Sequence, residues 1–401
     1  MKQLLLISDP VGRSTSVQFD LLSSLNSNLR DRFRVSIYTP YIDPHHRADL
    51  ESAGCSVITP PGDRFVFNQL LGFTGIDNES MLWAESWWRE AFHRKNLREA
   101  ARIVDPRRFD YIVNLSMTVP APCDLWWILG TPLDQTIDGM ARTNVVAAFA
   151  KAFGMRLVSY LDRSVVGRIE ARTHKIVANS PYLRDLHRQH GTPVQGVVYT
   201  LTDLSDFRPI ESADDSKYVL LYMGKETGEI DFDALKQAGV RVVAFGSKIP
   251  IGMRFRRIRD SVEFLGRVSR EKLVHLYSNA LFTLFPFSDE PMGLVPIESM
   301  ACGTPVLTYN RQGPATTVVD GKTGWLVETP DQLVARATEL WNKGETGIST
   351  QDCVRRAQQF TVKRSVEELM GWIEPALDSV HRSLRGADRH SFVGPVGGEA
   401  A

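Results

Sequence analysis

The chain has 401 residues, 43% of them hydrophobic, which is enough to bury more than one core when a domain takes roughly 100–200 residues. Lysine plus arginine and aspartate plus glutamate stand at 47 each, so no overall field draws the protein to nucleic acid, and any anion it binds must be met by a local site. Cys55, Cys123, Cys302 and Cys353 are far apart and form no C-x-x-C pair; they read as buried thiols, a pattern that suits a reducing compartment better than a disulfide framework.

In chain order, "QLLLIS" at the N-terminus is too short for a signal peptide's core and reads instead as a first strand. A helical pattern, "STSVQFDLLSSLNSNLRD", follows, and then "RVSIYT", "DYIVNL", "RLVSYL" and "KIVANS" read as further strands. Alternation of this kind predicts βαβ units and a parallel sheet. No run of about 18 apolar residues occurs, so no segment reads as membrane-spanning.

The polar, acidic, proline-containing stretch "TDLSDFRPIESADDSK" reads as a linker. Beyond it "YVLLYMG", "VRVVAFG", "SVEFLG", "ALFTLFPF", "TPVLTYN" and "GWLV" are nearly continuous apolar runs, as expected of strands covered on both faces. The reading is α/β, with two doubly wound Rossmann-like domains over 1–205 and 206–365. A C-terminal helix over 366–384 has no strand left to cross to and is expected to return to the first domain. Residues 385–401 read as a disordered tail.

Ligands of open α/β sheets bind beyond the carboxyl ends of the strands. After "ALFTLFPF" the segment "SDEPMGLVPIESMACGTP" reads as a loop and a helix opened by Gly293 and Leu294, with Pro296 in its first turn. Glu290 then lies in the loop and Glu298 about a turn and a half into the helix. The amides of Met292, Gly293, Leu294 and Val295 are expected to point into the cleft as an anion site, most simply for a phosphate. Carboxylates beside a phosphate would accept hydrogen bonds from neutral hydroxyls on either side, which a nucleoside-diphosphate sugar provides. The blander reading is a helix-start acid and a solvated helix residue. A glycosidase pair is disfavoured because a helix N-terminus stands between the two.

The longer run "SDEPMGLVPIESMACGTPVLTYNRQGPATTVVDGKTGWLV" closely resembles the donor-site segment of the GT-B retaining glycosyltransferases of family four, also known as glycosyl transferases group 1. The resemblance extends over most of 155–345 and reaches the N-terminal third only in outline. It implies that Glu290 contacts the transferred sugar, that Glu298 holds the ribose hydroxyls, and that Met292, Gly293, Leu294 and Val295 offer amides to sugar and phosphate. It also implies that Gly12, in "DPVGRS", approaches the diphosphate and that Gly266, Arg267 and Val268 frame the base.

Lys225 stands where the family has an arginine, and no second base follows it; Lys248 and Arg267 are the nearest substitutes. Where many members carry a histidine this chain has Gly130, with Thr131 and Asp134 beside it. "TLT" at 200–202 replaces the family's usual turn.

By the same resemblance the reaction is a metal-independent front-face transfer of a hexose from a UDP- or GDP-sugar, with no cofactor and with Glu290 and Lys225 as the catalytic pair. The order of segments is also similar to the dolichol-pathway α-1,2-mannosyltransferases. That similarity points to a glycan or lipid-linked acceptor and a cytoplasmic protein at the inner face of a membrane. In "ESMLWAESWWREAFHRKNLREAARIV", Trp83, Trp87, Ala91 and Phe92 share a helical face near Arg89, Arg94, Lys95 and Arg98. This reads either as peripheral membrane contact through 79–98 or as tryptophans packed on the first sheet. The rival functions are a glycogen synthase, disfavoured by the "DPVGRS" loop, a nucleotide-sugar epimerase, and a catalytically weak sugar-nucleotide-binding subunit of a glycan-assembly complex.

Overall fold

The computed structural model describes residues 1–13, 17–61, 78–133, 135, 145–210, 217–223, 230–246, 261–287 and 290–378. Seven parallel strands form the first sheet: β1 Lys2–Ile7, β2 Phe33–Tyr38, β3 Ser56–Ile58, β4 Tyr111–Asn114, β5 Cys123–Ile128, β6 Thr173–Ala178 and β7 Gly196–Val197. Their spatial order is β3-β2-β1-β4-β5-β6-β7, so the winding reverses between β1 and β4. Leu4 lies beside Val35 on one neighbour and Tyr111 on the other. Leu4 and Leu6 face one core while Leu5 and Ile7 face another. Burial on both faces explains why the strand reads as an unbroken apolar run.

Six parallel strands form the second sheet: β8 Val219–Tyr222, β9 Val242–Phe245, β10 Glu263–Phe264, β11 Thr283–Phe285, β12 Val306–Tyr309 and β13 Gly324–Val327, in the order β10-β9-β8-β11-β12-β13. Here the reversal falls between β8 and β11. The crevice beyond the carboxyl ends of these two strands is the favoured place for a ligand.

The chain crosses between the domains twice, and the crossing segments meet in a bridge between Thr202 and Thr361. After the second crossing the helix Val362–Asp378 packs on the first domain, where Leu369, Met370 and Ile373 complete a core that includes Leu4, Tyr111 and Trp127. Trp372 covers Gly196 so closely that a Cβ there would stand 2.4 Å from the indole. The Tyr111 hydroxyl donates to the Trp372 carbonyl at 3.2 Å, and Arg32 pairs with Glu374 at 3.2 Å. Residues 379–401, including the segment expected to be a tail, lie outside the described residues.

One expected strand is corrected. "RLVSYL" lies within the helix Val145–Glu170. Its buried contacts recur as Val158, Leu161, Asp162, Val165, Val166 and Ile169, the spacing of one helical face rather than the alternation of a strand. All four cysteines are buried and none is in a disulfide. Among the described residues no helix is long and apolar enough to cross a membrane.

Candidate donor site at the second sheet

β11 ends at Phe285, and the loop after it delivers Glu290 to the N-terminus of the helix Leu294–Ala301. Gly293 caps that helix at φ +88°, a left-handed conformation that glycine adopts without strain. The sequence leaves all the amides from Met292 to Val295 open, and the structure corrects this. Glu290 Oε1 accepts from the Gly293 amide at 3.0 Å and lies 3.4 Å from that of Met292. An N-terminal carboxylate is drawn to such amides by their partial positive charge. The Leu294 and Val295 amides meet no acceptor among the described residues.

The Glu290 backbone is held as well. Its amide donates to Gln312 Oε1 at 2.9 Å and its carbonyl accepts from the Gly313 amide at 2.9 Å. Gly313 has no room for a side chain, since a Cβ would stand 2.3 Å from both Met292 N and the Pro291 carbonyl carbon.

Glu298 points into the same crevice from within the helix. Its Oε2 accepts from the Tyr277 hydroxyl at 3.0 Å. Burial pushes its carboxyl up to about 7, opposed by the Tyr277 hydrogen bond and by the Arg270 cation. Tyr277 is in turn raised well above the ordinary tyrosine value, by burial first and then by Glu298.

Tyr222, at the carboxyl end of β8, is raised by burial and by the negative fields of Glu290 and Glu298, while Arg267 lowers it. Its ring lies 5.5 Å from Phe287 and 5.4 Å from Phe245. Tyr222, Phe245 and Phe287 thus cluster at the carboxyl end of the second sheet, with Tyr222 within the fields of both carboxylates. Neither Tyr222 nor Tyr277 carries a charge that would mark it in the sequence; the one signal is the place of Tyr222 as the last residue of β8.

Gly266 turns at φ +70° just beyond β10, and its carbonyl accepts from the Gly246 amide at 3.0 Å. Arg267 is exposed, and Val268 packs against the second-domain core. The structure thus brings Gly266, Arg267, Val268, Glu290, Met292, Gly293, Leu294, Val295 and Glu298 to one end of the second sheet. Lys225 and Lys248 lie outside the described residues, as does Asp134.

In the first domain the loop after β1 occupies the corresponding place, at the carboxyl end of a strand beside the reversal point. Gly12 is buried there beside Val11, whose amide donates to the Tyr41 carbonyl at 2.9 Å. Just before it, buried Asp9 accepts from the Ser116 hydroxyl, from the Thr118 hydroxyl at 2.6 Å and from the Met117 amide at 3.1 Å. Burial raises the Asp9 carboxyl against the pull of these donors. Asp9 ties the β1 and β4 loops together across the reversal point of the first sheet.

Ser180, fully buried at the N-cap of the helix Pro181–Gln189, links the domains by donating to the Pro291 carbonyl at 2.7 Å. Gly130 lies two residues beyond the end of β5. A ring nitrogen of the buried His187 lies 3.0 Å from its carbonyl.

Of the two readings of the tryptophan segment, the packed one holds for Trp83, Trp87 and Ala91, while Phe92 does not share their buried face. A left-handed Arg94 divides the segment into helices Asn78–His93 and Lys95–Ile103. Trp83, Trp87 and Ala91 face the first-domain core, and Trp87 Nε1 donates to Asp162 at 2.9 Å. Arg89 is buried against Glu85 at 2.8 Å. The exposed aromatic pair is Trp88 and Phe92, with ring centroids 4.0 Å apart.

Two parallel doubly wound sheets, each with one reversal in strand order and joined by a chain that crosses between them twice, define a GT-B architecture. Solved structures agree. HepE of Anabaena in complex with UDP is similar at a TM-score of 0.62 and 16% identity, over 94% of this chain and all of that one. WaaG, a glycosyltransferase involved in lipopolysaccharide biosynthesis, is similar at 0.55 and 15%, over 94% of this chain and 98% of that one.

Residues 253–360 match the family described as Glycosyl transferases group 1, and the chain carries a domain of that family. A D-inositol 3-phosphate glycosyltransferase of Acidothermus cellulolyticus is 33% identical over 122 residues, which is 30% of this chain and 27% of the relative. The alpha-1,3/1,6-mannosyltransferase alg-2 of Neurospora crassa is 34% identical over 96 residues, covering 24% of this chain and 19% of that protein. The alignments thus span only about a quarter or less of these relatives' own lengths.

Proposed function

We propose that this protein is a retaining glycosyltransferase that moves a hexose from a UDP- or GDP-sugar to a glycan or lipid-linked acceptor. The observation that carries the reading is the placement of Glu290 and Glu298 in the β8/β11 crevice, around the open amides of Leu294 and Val295. In this reading the two amides and the helix dipole receive the diphosphate. Glu298 takes the ribose hydroxyls and Glu290 a sugar hydroxyl. Gly12 closes on the diphosphate from the first domain, and Gly266, Arg267 and Val268 frame the base beside Tyr222. Lys225 and Lys248 are assigned to the phosphates from their places after β8 and β9.

The bond between the anomeric carbon and the phosphate oxygen breaks as the acceptor oxygen bonds to that carbon on the same face. The acceptor's proton passes to the departing phosphate. The protein's contribution is electrostatic stabilisation of the leaving diphosphate and of positive charge at the anomeric carbon. No metal or cofactor is assigned a role in this scheme. We place the work in the cytoplasm at a membrane face, with Trp88 and Phe92 as the contact.

The test is a thermal-shift panel of nucleotides and nucleotide sugars, followed by transfer and slow hydrolysis assays with UDP-glucose and GDP-mannose. A specific donor raises the melting temperature, and Glu290→Ala abolishes transfer. Tight binding with no hydrolysis or transfer, even with lipid acceptors, would establish a binding subunit instead. Unchanged transfer by Glu290→Ala would remove Glu290 from the site.

A further inference from the structure

Among the described residues only Arg94 and Gln312 are non-glycine residues with positive φ. Arg94 marks the break between two helices, whereas Gln312, at φ +58°, lies against the donor loop. A side chain in this conformation is strained, and such strain persists only where the surroundings over-determine it. A turn alone would be better served by glycine.

The Gln312 side chain does something glycine cannot. Its Oε1 accepts the Glu290 amide proton at 2.9 Å, while the next residue's amide donates to the Glu290 carbonyl at 2.9 Å. Both polar groups of the Glu290 backbone are therefore held by two consecutive residues.

The far side of this clamp is also fixed. The short helix Pro314–Thr317 follows directly, and Arg356 grips its end by donating to the carbonyls of Thr317 at 2.8 Å and Thr316 at 2.6 Å. Arg356 itself lies over the Phe360 ring at 4.9 Å. The chain of contacts runs from the second-domain core to the Glu290 carboxylate.

We infer that Gln312 is a positioning residue for Glu290, with the side-chain amide carbonyl setting where the Glu290 carboxylate stands relative to the helix N-terminus. The inference rests on the reading of Glu290 as the group that meets the transferred sugar. A misplacement of about 1 Å at such a group can cost about a hundredfold in rate.

The experiment compares Gln312→Gly, Gln312→Ala and Glu290→Ala with the parent protein. Three readouts are taken: melting temperature, amide hydrogen exchange of peptides spanning 286–294, and kcat and KM for the nucleotide sugar found by the thermal-shift panel. Gln312→Gly relieves the backbone strain, so its melting temperature should equal or exceed the parent's. Its exchange over 286–294 should nonetheless rise about fivefold or more, the effect of one lost hydrogen bond. Its kcat should fall roughly ten- to a hundredfold with KM little changed.

A merely structural role would move melting temperature and turnover together. Parent-like exchange and kcat in Gln312→Gly overturn the inference. Should Glu290→Ala keep full turnover, the reading of the site fails instead, and the exchange result alone then decides whether Gln312 holds Glu290.

Discussion

The protonation of Glu298 offers the most quantitative test of the second-domain crevice. Its carboxyl is raised from 4.5 to about 7, chiefly by burial. The folded state thus binds this proton more tightly than the unfolded chain does. The resulting stabilisation is fully present below about pH 4.5 and is lost as the pH rises to about 7. At about 1.4 kcal/mol per unit, the group accounts for about 3 kcal/mol across that window. Glu298→Gln keeps the shape and an acceptor for the Tyr277 hydroxyl but cannot ionise. Urea unfolding at a series of pH values should therefore show the parent losing about 3 kcal/mol more than the variant between the two limits.

Ligand binding should show the same proton. If Glu298 takes a ribose hydroxyl as proposed, only the ionised carboxylate accepts it, so the affinity for an intact nucleotide sugar, whose own phosphates do not titrate near neutrality, should weaken about tenfold for each unit below pH 7. Equal pH slopes of stability in parent and variant would refute the assignment of the raised carboxyl to Glu298.

Gly313→Ala forces a Cβ into the Met292 amide and the Pro291 carbonyl carbon, each 2.3 Å away. It should cost about 1–3 kcal/mol in a denaturation measurement and remove donor binding in the thermal-shift assay. Ser180→Ala loses both the helix cap and the link to Pro291, and should cost about 1 kcal/mol. Ser180→Thr should restore most of that stability and the turnover lost with it. Trp88→Ala combined with Phe92→Ala removes the exposed aromatic pair. Co-sedimentation with anionic vesicles should fall while the melting temperature holds, and unchanged sedimentation would dismiss membrane contact through that pair.

What the sequence displays is what lies close together along it. Glu290 and Glu298 are readable because loop, helix N-terminus and helix interior follow one another without interruption, and the strands are readable because both of their faces are buried. The helix holding "RLVSYL" misleads because a short apolar run carries too little periodicity to separate strand from helix. The tryptophan face leaves two readings open because an amphipathic helix looks alike whether it covers a sheet or a membrane; the bond from Trp87 to Asp162 shows that this face packs inward. The link from Ser180 to Pro291 spans 111 residues and that from Asp9 to Met117 spans 108, so neither leaves a local pattern. Gln312 is hidden for a different reason, because a left-handed backbone is announced by glycine and not by glutamine.

The helix Val362–Asp378 has a consequence for how such a chain can be divided or recombined. Leu369, Met370 and Ile373 are fully or almost fully buried in a core otherwise built from the opposite end of the sequence. Each such side chain contributes on the order of 1.5–3 kcal/mol by its burial. A fragment cut in the linker would expose an apolar trough on the first domain, and a second domain transplanted with its own terminus would carry a plug shaped for a socket left behind. Exchange of donor specificity between relatives by swapping halves should therefore succeed only when the final helix stays with the first domain, which makes the inheritable unit a discontinuous one.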